Sequence, residues 1–279
     1  MIDGDRPLGR FAKLAYLGAN ALRNAAAFRP GPLRVERFHV GDPSAITGTP
    51  SPSRLLCERH LVGVDWRTFA RAAGGIRMHE MGCGSGRAGS LVAAAADTPI
   101  RYRGFDVRTN PAWATPADGA EMAVFDGADF ARTIGSQDNF FFSQSAAEHI
   151  PGDLDYFTAV ARACAAAIGP TLQIHYLPAA ACLRLYLFHG FRQYPVGALA
   201  RIAALQAPDA RCTAMALGGP AAINLHWRWI TRPLLARRPE RRMVDPAGYR
   251  AAMAAALAAD EGAAPSAALF WAFVVRRGC

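Results

Sequence analysis

One stretch limits the possible folds of this chain more than any other: Ile76-Arg-Met-His-Glu-Met-Gly-Cys-Gly-Ser-Gly-Arg-Ala-Gly89. An apolar run ends near Glu80, then Gly82, Gly84 and Gly86 alternate, and an alanine-rich helical stretch begins. Alternating glycines let a backbone turn tightly and approach a ligand, and the helix that follows points its free N–H groups at that ligand. The same grammar of short apolar runs and helical stretches continues downstream. It predicts strands near 76–81, 101–106, 121–125, 139–143 and 170–177, with helices near 86–96, 129–134 and 154–168. The fold class is therefore α/β, a mostly parallel sheet with helices on both faces, and ligands of such sheets bind at the carboxyl edge of the strands.

The loop itself narrows the ligand. A dinucleotide loop needs the spacing GxGxxG, and Arg87 stands where its third glycine would be. Glu80, two places before the first glycine, is poorly suited to a pyrophosphate but suits an ammonium group, as in the amino-acid tail of S-adenosylmethionine. The next strand ends in Phe105-Asp106, placed to accept both hydroxyls of a ribose, and Val124-Phe-Asp126-Gly offers a further acid for an exocyclic amine. The run Asn139-Phe-Phe-Phe-Ser-Gln-Ser-Ala-Ala-Glu-His-Ile-Pro151 brings Ser143, Glu148 and His149 to the same edge.

Glu80-x-Gly-x-Gly-x-Gly86, Phe105-Asp106 and Ser-x-x-Glu-His-Ile-Pro together resemble the successive motifs of class I S-adenosylmethionine-dependent methyltransferases, over residues 76–178. The resemblance implies a Rossmann-like methyltransferase fold and S-adenosylmethionine held by Glu80, Gly82, Cys83, Gly84, Gly86, Asp106, Asp126 and Ser143. A looser resemblance is to methyltransferase-domain proteins that accompany bacterial surface-polysaccharide synthesis. It is carried by Ser51-Pro-Ser-Arg-Leu-Leu-Cys57, Ser143-Gln-Ser-Ala-Ala-Glu-His149, Gln173-Ile-His175, His189-Gly-Phe-Arg-Gln-Tyr194 and Asn224-Leu-His226. It implies a glycan or other small hydroxylated acceptor.

Transfer of an activated methyl group asks mainly for alignment and exclusion of water, and a hydroxyl acceptor also asks for a base. His149 and His175 are the candidate bases, with Glu148 beside the first; each histidine has a structural reading as well, His149 as a cap for the next helix and His175 as a core residue. Glu148-His149 also resembles the Glu-x-x-Glu-His metal sites of ubiquinone-pathway and small-RNA 2′-O-methyltransferases. Ser145 replaces the first acid of that pattern, so no metal is expected. Acceptor contacts are expected from His189, Arg192, Tyr194 and His226, with Trp227 and Trp229 read either as cleft aromatics or as ordinary packing.

Outside this core, residues 1–62 read as an N-terminal helical extension and irregular connector, and 63–279 as the methyltransferase domain. Within the latter, 179–233 is the expected acceptor-binding segment, helical to about Leu205 and irregular around 218–233, and 246–276 supplies a closing helix and strand. The first helix carries Phe11, Leu14, Leu17, Ala21 and Leu22 at helical spacing among basic residues. Packing of that stripe on the domain's own core is the expected outcome, and a membrane surface the alternative.

Charge adds little. The net charge is +9, yet only one of the 31 basic residues is lysine, and residues 61–150 hold eight basic against ten acidic side chains. The excess lies in the flanks, and its almost wholly arginine character argues against a nucleic-acid footprint. Six cysteines without a CxxC pair or zinc spacing fit a reduced, cytoplasmic chain, and no apolar run is long enough to span a membrane. The leading reading is an enzyme that O-methylates a saccharide or small metabolite. The alternatives are an RNA methyltransferase and a non-catalytic protein of the same fold that docks on a membrane or partner.

Overall fold

The computed structural model describes residues 5–25 (side chains to 22), 33–42, 46–116, 118–185 and 189–278. Along the chain lie α1 (Arg10–Ala25), β1 (Arg34–Arg37), α2 (Pro52–Val62), α3 (Trp66–Ala73), β2 (Ile76–Met81), α4 (Arg87–Ala96), β3 (Ile100–Asp106), β4 (Ala120–Val124) and β5 (Phe140–Gln144). There follow α5 (Asp153–Ala166), β6 (Thr171–Pro178), α6 (Val196–Ala203), β7 (Arg211–Leu217), α7 (Pro220–His226), α8 (Arg232–Leu235), α9 (Arg241–Val244), α10 (Pro246–Asp260) and β8 (Phe270–Arg277).

The strands form one sheet in the order β4-β3-β2-β5-β6-β8-β7-β1. Pairing is parallel except for β8, which runs antiparallel between β6 and β7. This is the doubly wound, Rossmann-like arrangement the resemblance implied. The connections leave β2 towards β3 on one side and cross to β5 on the other, so a crevice opens at the carboxyl ends of these strands.

Burial on both faces explains why the central strands read as continuous apolar runs. In β5, Phe140 and Phe142 pack with Trp66, Val92 and Met253 of α3, α4 and α10, while Phe141 between them packs with Tyr156, Phe157 and Val160 of α5. All three phenylalanines are fully buried. Every residue of β6 is buried too. A strand so enclosed cannot slip by one residue without exchanging its two faces.

Three elements were not anticipated and two segments differ from expectation. The short β1, α3 and β7 carry weak sequence signals, because β1 has four residues and β7 mixes Cys, Thr and Ala with its larger side chains. Residues 179–195, expected to be helical, form a 3₁₀ turn at Ala180–Cys182 and a bridge between Ala179 and Tyr194 in the part that is described; residues 186–188 lie outside it. Conversely, the region around 218–233, expected to be irregular, is helical from Pro220, with a π turn at Trp227–Thr231. Pro220 stands in the first turn of the run, where its missing N–H has no partner to lose, and Pro233 falls just after the π turn, where the regular hydrogen-bond ladder is already interrupted.

The segment read as an extension is in part integral. β1 pairs with β7, and Leu55, Leu56 and Leu61 of α2 belong to the main core. Residues 28–32 and 43–45 of the expected connector lie outside the described residues. In α1 the expected packing is corrected: Phe11, Leu14 and Leu22 are exposed, and the helix buries Tyr16 and Asn20 instead. The Tyr16 hydroxyl donates to the carbonyls of His189 and Gly190, which ties that side of the helix to the domain.

Candidate active site at the carboxyl edge of the sheet

The turn after β2 is built as its glycines require. The N–H groups of Gly82 and Cys83 both donate to the carbonyl of Phe105, at 2.7 and 3.0 Å, which locks the loop to the end of β3. Gly82 has φ of +76°, and a Cβ there would lie 2.2 Å from the Cβ of Ala146. No larger residue fits without parting the β2 and β5 loops.

A cavity of about 640 Å³ opens where these loops meet. Its lining includes Met81, Gly82, Asp106, Val107, Phe125 and Asp126 from the ends of β2, β3 and β4, and Ser145, Ala146, His149, Ile150, Gly152 and Asp155 from the chain after β5. Its walls mix apolar faces with a few acids, the make-up of a site for an organic ligand. Asp106 is half-buried, its Oδ2 accepting from the Gly84 N–H at 2.8 Å. Asp126 is exposed on the rim. Ser145 takes a positive φ of +51°, a conformation uncommon for a residue with a side chain, directly at the cavity wall.

The other residues expected at the cofactor stand behind this surface. Glu80 is buried and its Oε2 accepts from the Tyr102 hydroxyl at 2.6 Å. Burial pushes its carboxyl up to about 8. Cys83 is buried against β3, and a Cβ on Gly104 would lie 2.8 Å from the Cβ of Cys83. Gly84 holds Asp106 by its N–H and the Trp113 indole by its carbonyl, at 2.8 Å, while Gly86 faces a separate hollow with Tyr102 and Met122. None of Glu80, Cys83, Gly84, Gly86 and Ser143 is among the residues that line the cavity.

Four further expectations are corrected. His175 is fully buried between Tyr156 and Phe157, with Nδ1 2.8 Å from the Ser143 hydroxyl. Burial lowers it to about 3, so it is a neutral core residue with no path to a substrate proton. Strand alternation turned it inward. Arg192 and Tyr194 are committed to Asp153 at the start of α5: the guanidinium forms an ion pair with the carboxylate, and the Tyr194 hydroxyl donates to Oδ2 at 2.8 Å. They fix that helix and are not available to an acceptor. His226 is buried in α7, 3.0 Å from the Thr231 hydroxyl and lowered to about 4 by burial, and Trp229 packs on Tyr249.

His149 remains at the cavity, and His189 joins it from beyond β6 with the two Nε2 atoms 3.1 Å apart. Glu148 is buried beside them, and burial pushes its carboxyl up to about 8. The residue that sequence reasoning missed is Asp5. Its carboxylate lies 2.5 Å from Nδ1 of His149 and 3.2 Å from Nδ1 of His189. A separation of 144 positions in the chain leaves no local signal for this contact. The Tyr16 hydroxyl fastens the same N-terminal segment, bonding to the carbonyls of His189 and Gly190 at 3.1 Å each.

No protein-family model matches the sequence, and a search of curated proteins finds no match. Among solved structures, a Galdieria sulphuraria protein assigned as a sarcosine dimethylglycine methyltransferase aligns with a TM-score of 0.48 and 14% identity, over 87% of this chain and 94% of that one. The Haemonchus contortus phosphoethanolamine N-methyltransferase 2, solved with phosphomonomethylethanolamine and S-adenosylhomocysteine, aligns with a TM-score of 0.44 and 15% identity. That alignment covers 81% of this chain but 57% of the Haemonchus enzyme, so this chain spans well under two thirds of its length. A cyclopropane-fatty-acyl-phospholipid synthase-like protein from Lactobacillus casei aligns with a TM-score of 0.42 and 16% identity, over 84% of this chain and 96% of that one. At this distance the class of the fold rests on the strand order of this chain's own sheet, and its function on its own residues.

Proposed function

We propose that this chain is an S-adenosylmethionine-dependent methyltransferase acting on a hydroxyl of a saccharide or other small metabolite. The observation that carries the reading is that Gly82, Asp106, Asp126 and His149, from four separate loops, share one cavity at the carboxyl edge of the sheet. Asp106 suits the ribose hydroxyls, with Val107 and Phe125 as apolar faces for an adenine and Asp126 for its amine. The methionine tail then lies over Gly82 towards Ala146, and the acceptor enters beside His149. Glu80 lies behind the loop, where burial pushes its carboxyl up to about 8, and a cationic amino-acid tail nearby would favour its ionised form. His149 takes the acceptor proton, and Asp5 orients its ring through Nδ1.

Isothermal titration with S-adenosylhomocysteine tests the cofactor half. Micromolar binding is expected for the native chain, with a loss on the order of a hundredfold for Gly82→Val and tenfold or more for Asp106→Ala. Equal isotherms for native and variant proteins would sink the reading. Labelled cofactor incubated with fractionated cell extract then identifies which class of molecule gains the methyl group.

A second reading, attachment to an anionic membrane surface, is favoured by the exposure of Phe11, Leu14 and Leu22 on α1 beside Arg10 and Lys13. No helix among the described residues is long and apolar enough to cross a membrane. Flotation with vesicles containing anionic phospholipid, lost in the Phe11→Ser, Leu14→Ser double variant, would support it; equal flotation would remove it.

A further inference from the structure

We infer that His149 and His189, with the buried acid Glu148 beside them, form a binding site for one first-row divalent transition-metal ion at the edge of the cavity, with Asp5 orienting the two imidazoles. The geometry begins with the rings. Both Nδ1 atoms face the single carboxylate of Asp5, at 2.5 and 3.2 Å. A carboxylate accepts, so each Nδ1 carries its hydrogen, and each Nε2 is left with a lone pair. Those two lone pairs converge at an Nε2–Nε2 separation of 3.1 Å, with the rings at 89° to one another. Nitrogen ligands about 2.0–2.1 Å from a tetrahedral zinc lie roughly 3.3 Å apart, close to what the two rings already hold. An imidazole that ligates a metal through one nitrogen while giving the other N–H to a carboxylate is the usual outer-shell arrangement.

Beside the pair stands an acid that the remainder of the fold leaves unexplained. Glu148 is buried, its Oε1 lies 4.0 Å from Nε2 of His149, and its other oxygen, Oε2, is enclosed with no hydrogen-bond partner among the described residues. An enclosed carboxylate oxygen without a donor is costly, and a cation satisfies it. The backbone is shaped to keep these groups together. The Phe191 N–H donates to the carbonyl of Glu148 at 2.6 Å, and Gly190 has φ of +63° with its missing Cβ only 2.5 Å from that same oxygen. Only glycine allows His189 to sit so close to His149.

The sequence argued against a metal because Ser145 stands where a carboxylate would be needed. Folding supplies the deficit from elsewhere, by bringing His189 and Asp5 to the same point. Two neutral imidazoles beside a carboxylate suit zinc, or cobalt in its place, better than magnesium or calcium. His149 also lines the cavity, so the ion's open position faces the space where an acceptor enters. With an ion bound, His149 is a ligand and not a base, and on the transferase reading the ion would acidify the acceptor oxygen in its place; the metal site itself does not depend on that reading.

The test uses the full chain stripped with chelator, titrated with Co²⁺ by visible absorption and with Zn²⁺ by calorimetry. One equivalent is expected, with tetrahedral or five-coordinate d–d bands for Co²⁺ and no competition from millimolar Mg²⁺. His149→Ala and His189→Ala should each weaken binding at least a hundredfold, and Asp5→Asn should weaken it about tenfold to a hundredfold as an outer-shell change does. Glu148→Gln keeps the shape of the buried side chain and should still weaken binding at least tenfold; circular dichroism verifies that each variant is folded. Binding equal in the native protein and the folded histidine variants, or no stoichiometric Co²⁺ bands, overturns the site. Calorimetry with S-adenosylhomocysteine on the same native sample separates the two readings. Zinc without the nucleoside leaves the metal site standing and removes the transferase reading, whereas the nucleoside without zinc does the reverse.

Discussion

Two pairs of histidines, within the same sheet and its loops, have opposite fates. His79 and His175 lie in the core, His79 with Nε2 on the Thr133 hydroxyl at 3.0 Å and His175 with Nδ1 on Ser143 at 2.8 Å. Burial lowers both to about 3, helped in His79 by Arg103 and in His175 by His79. His149 and His189 stand at the rim, partly exposed and facing the Asp5 carboxylate. The difference teaches that residue type and strand position do not make a catalytic histidine. A group needs access to the ligand and a neighbour that fixes its tautomer, and only the rim pair has both.

The contrast can be broken most severely at His149. Replacement by Ala is expected to lower methyl transfer from labelled cofactor into extract by about 10²–10⁴-fold while leaving the urea midpoint nearly unchanged. Unchanged transfer would remove His149 from the chemistry. The opposite split is expected at His175: Ala there leaves a cavity beside Tyr156 and Phe157 and an unpaired Ser143 hydroxyl, for a loss of about 2–4 kcal/mol in urea unfolding with S-adenosylhomocysteine affinity retained. If the affinity fell and the stability did not, the assignment of the two pairs would be reversed.

Acid sharpens the same comparison. The core histidines are depressed from 6.5 to about 3, so below pH 6.5 the unfolded chain binds protons that the folded chain does not. Stability is therefore full above about 6.5 and is lost as pH falls towards 3. Each core histidine contributes a slope of roughly 1.4 kcal/mol per pH unit between about pH 4 and 6. His175→Gln should remove about one proton's share of that slope, measured as urea midpoints across the range, and an unaltered slope would contradict the neutral core assignment. The smallest effect is expected on α1, where Phe11→Ser with Leu14→Ser should change stability by no more than about 0.5 kcal/mol, since both side chains are exposed. A larger loss would mean that the stripe is covered.

Much of the fold was legible because its signals are local. The strand from Ile76, the three glycines and the helix from Arg87 lie where the run predicts, as do Asp106 at the end of β3 and Asp126 just past β4. The misread parts are those whose state depends on a partner. β1 becomes a strand only by pairing with β7, and β7 only by pairing with β8 as well. The helix stripe on α1 failed for a related reason: periodicity tells which residues share a face, but not which face finds the protein. The site divides the same way. Gly82 and Asp106 were legible, whereas Arg192, Tyr194 and His226 have chemistry that suits a ligand but are claimed by Asp153 and Thr231.

By itself, then, the sequence determined the parallel α/β sheet, the turn after β2 and the carboxyl edge as the place for a ligand. Each of these follows from spacing within a few residues, and backbone sterics and strand alternation act at that range. Tertiary structure alone decided which polar groups reach the cavity and which are spent holding the core. It also decided the cluster at the rim, because Asp5, His149 and His189 are brought together only when the N-terminal segment and the chain beyond β6 close over the end of β5.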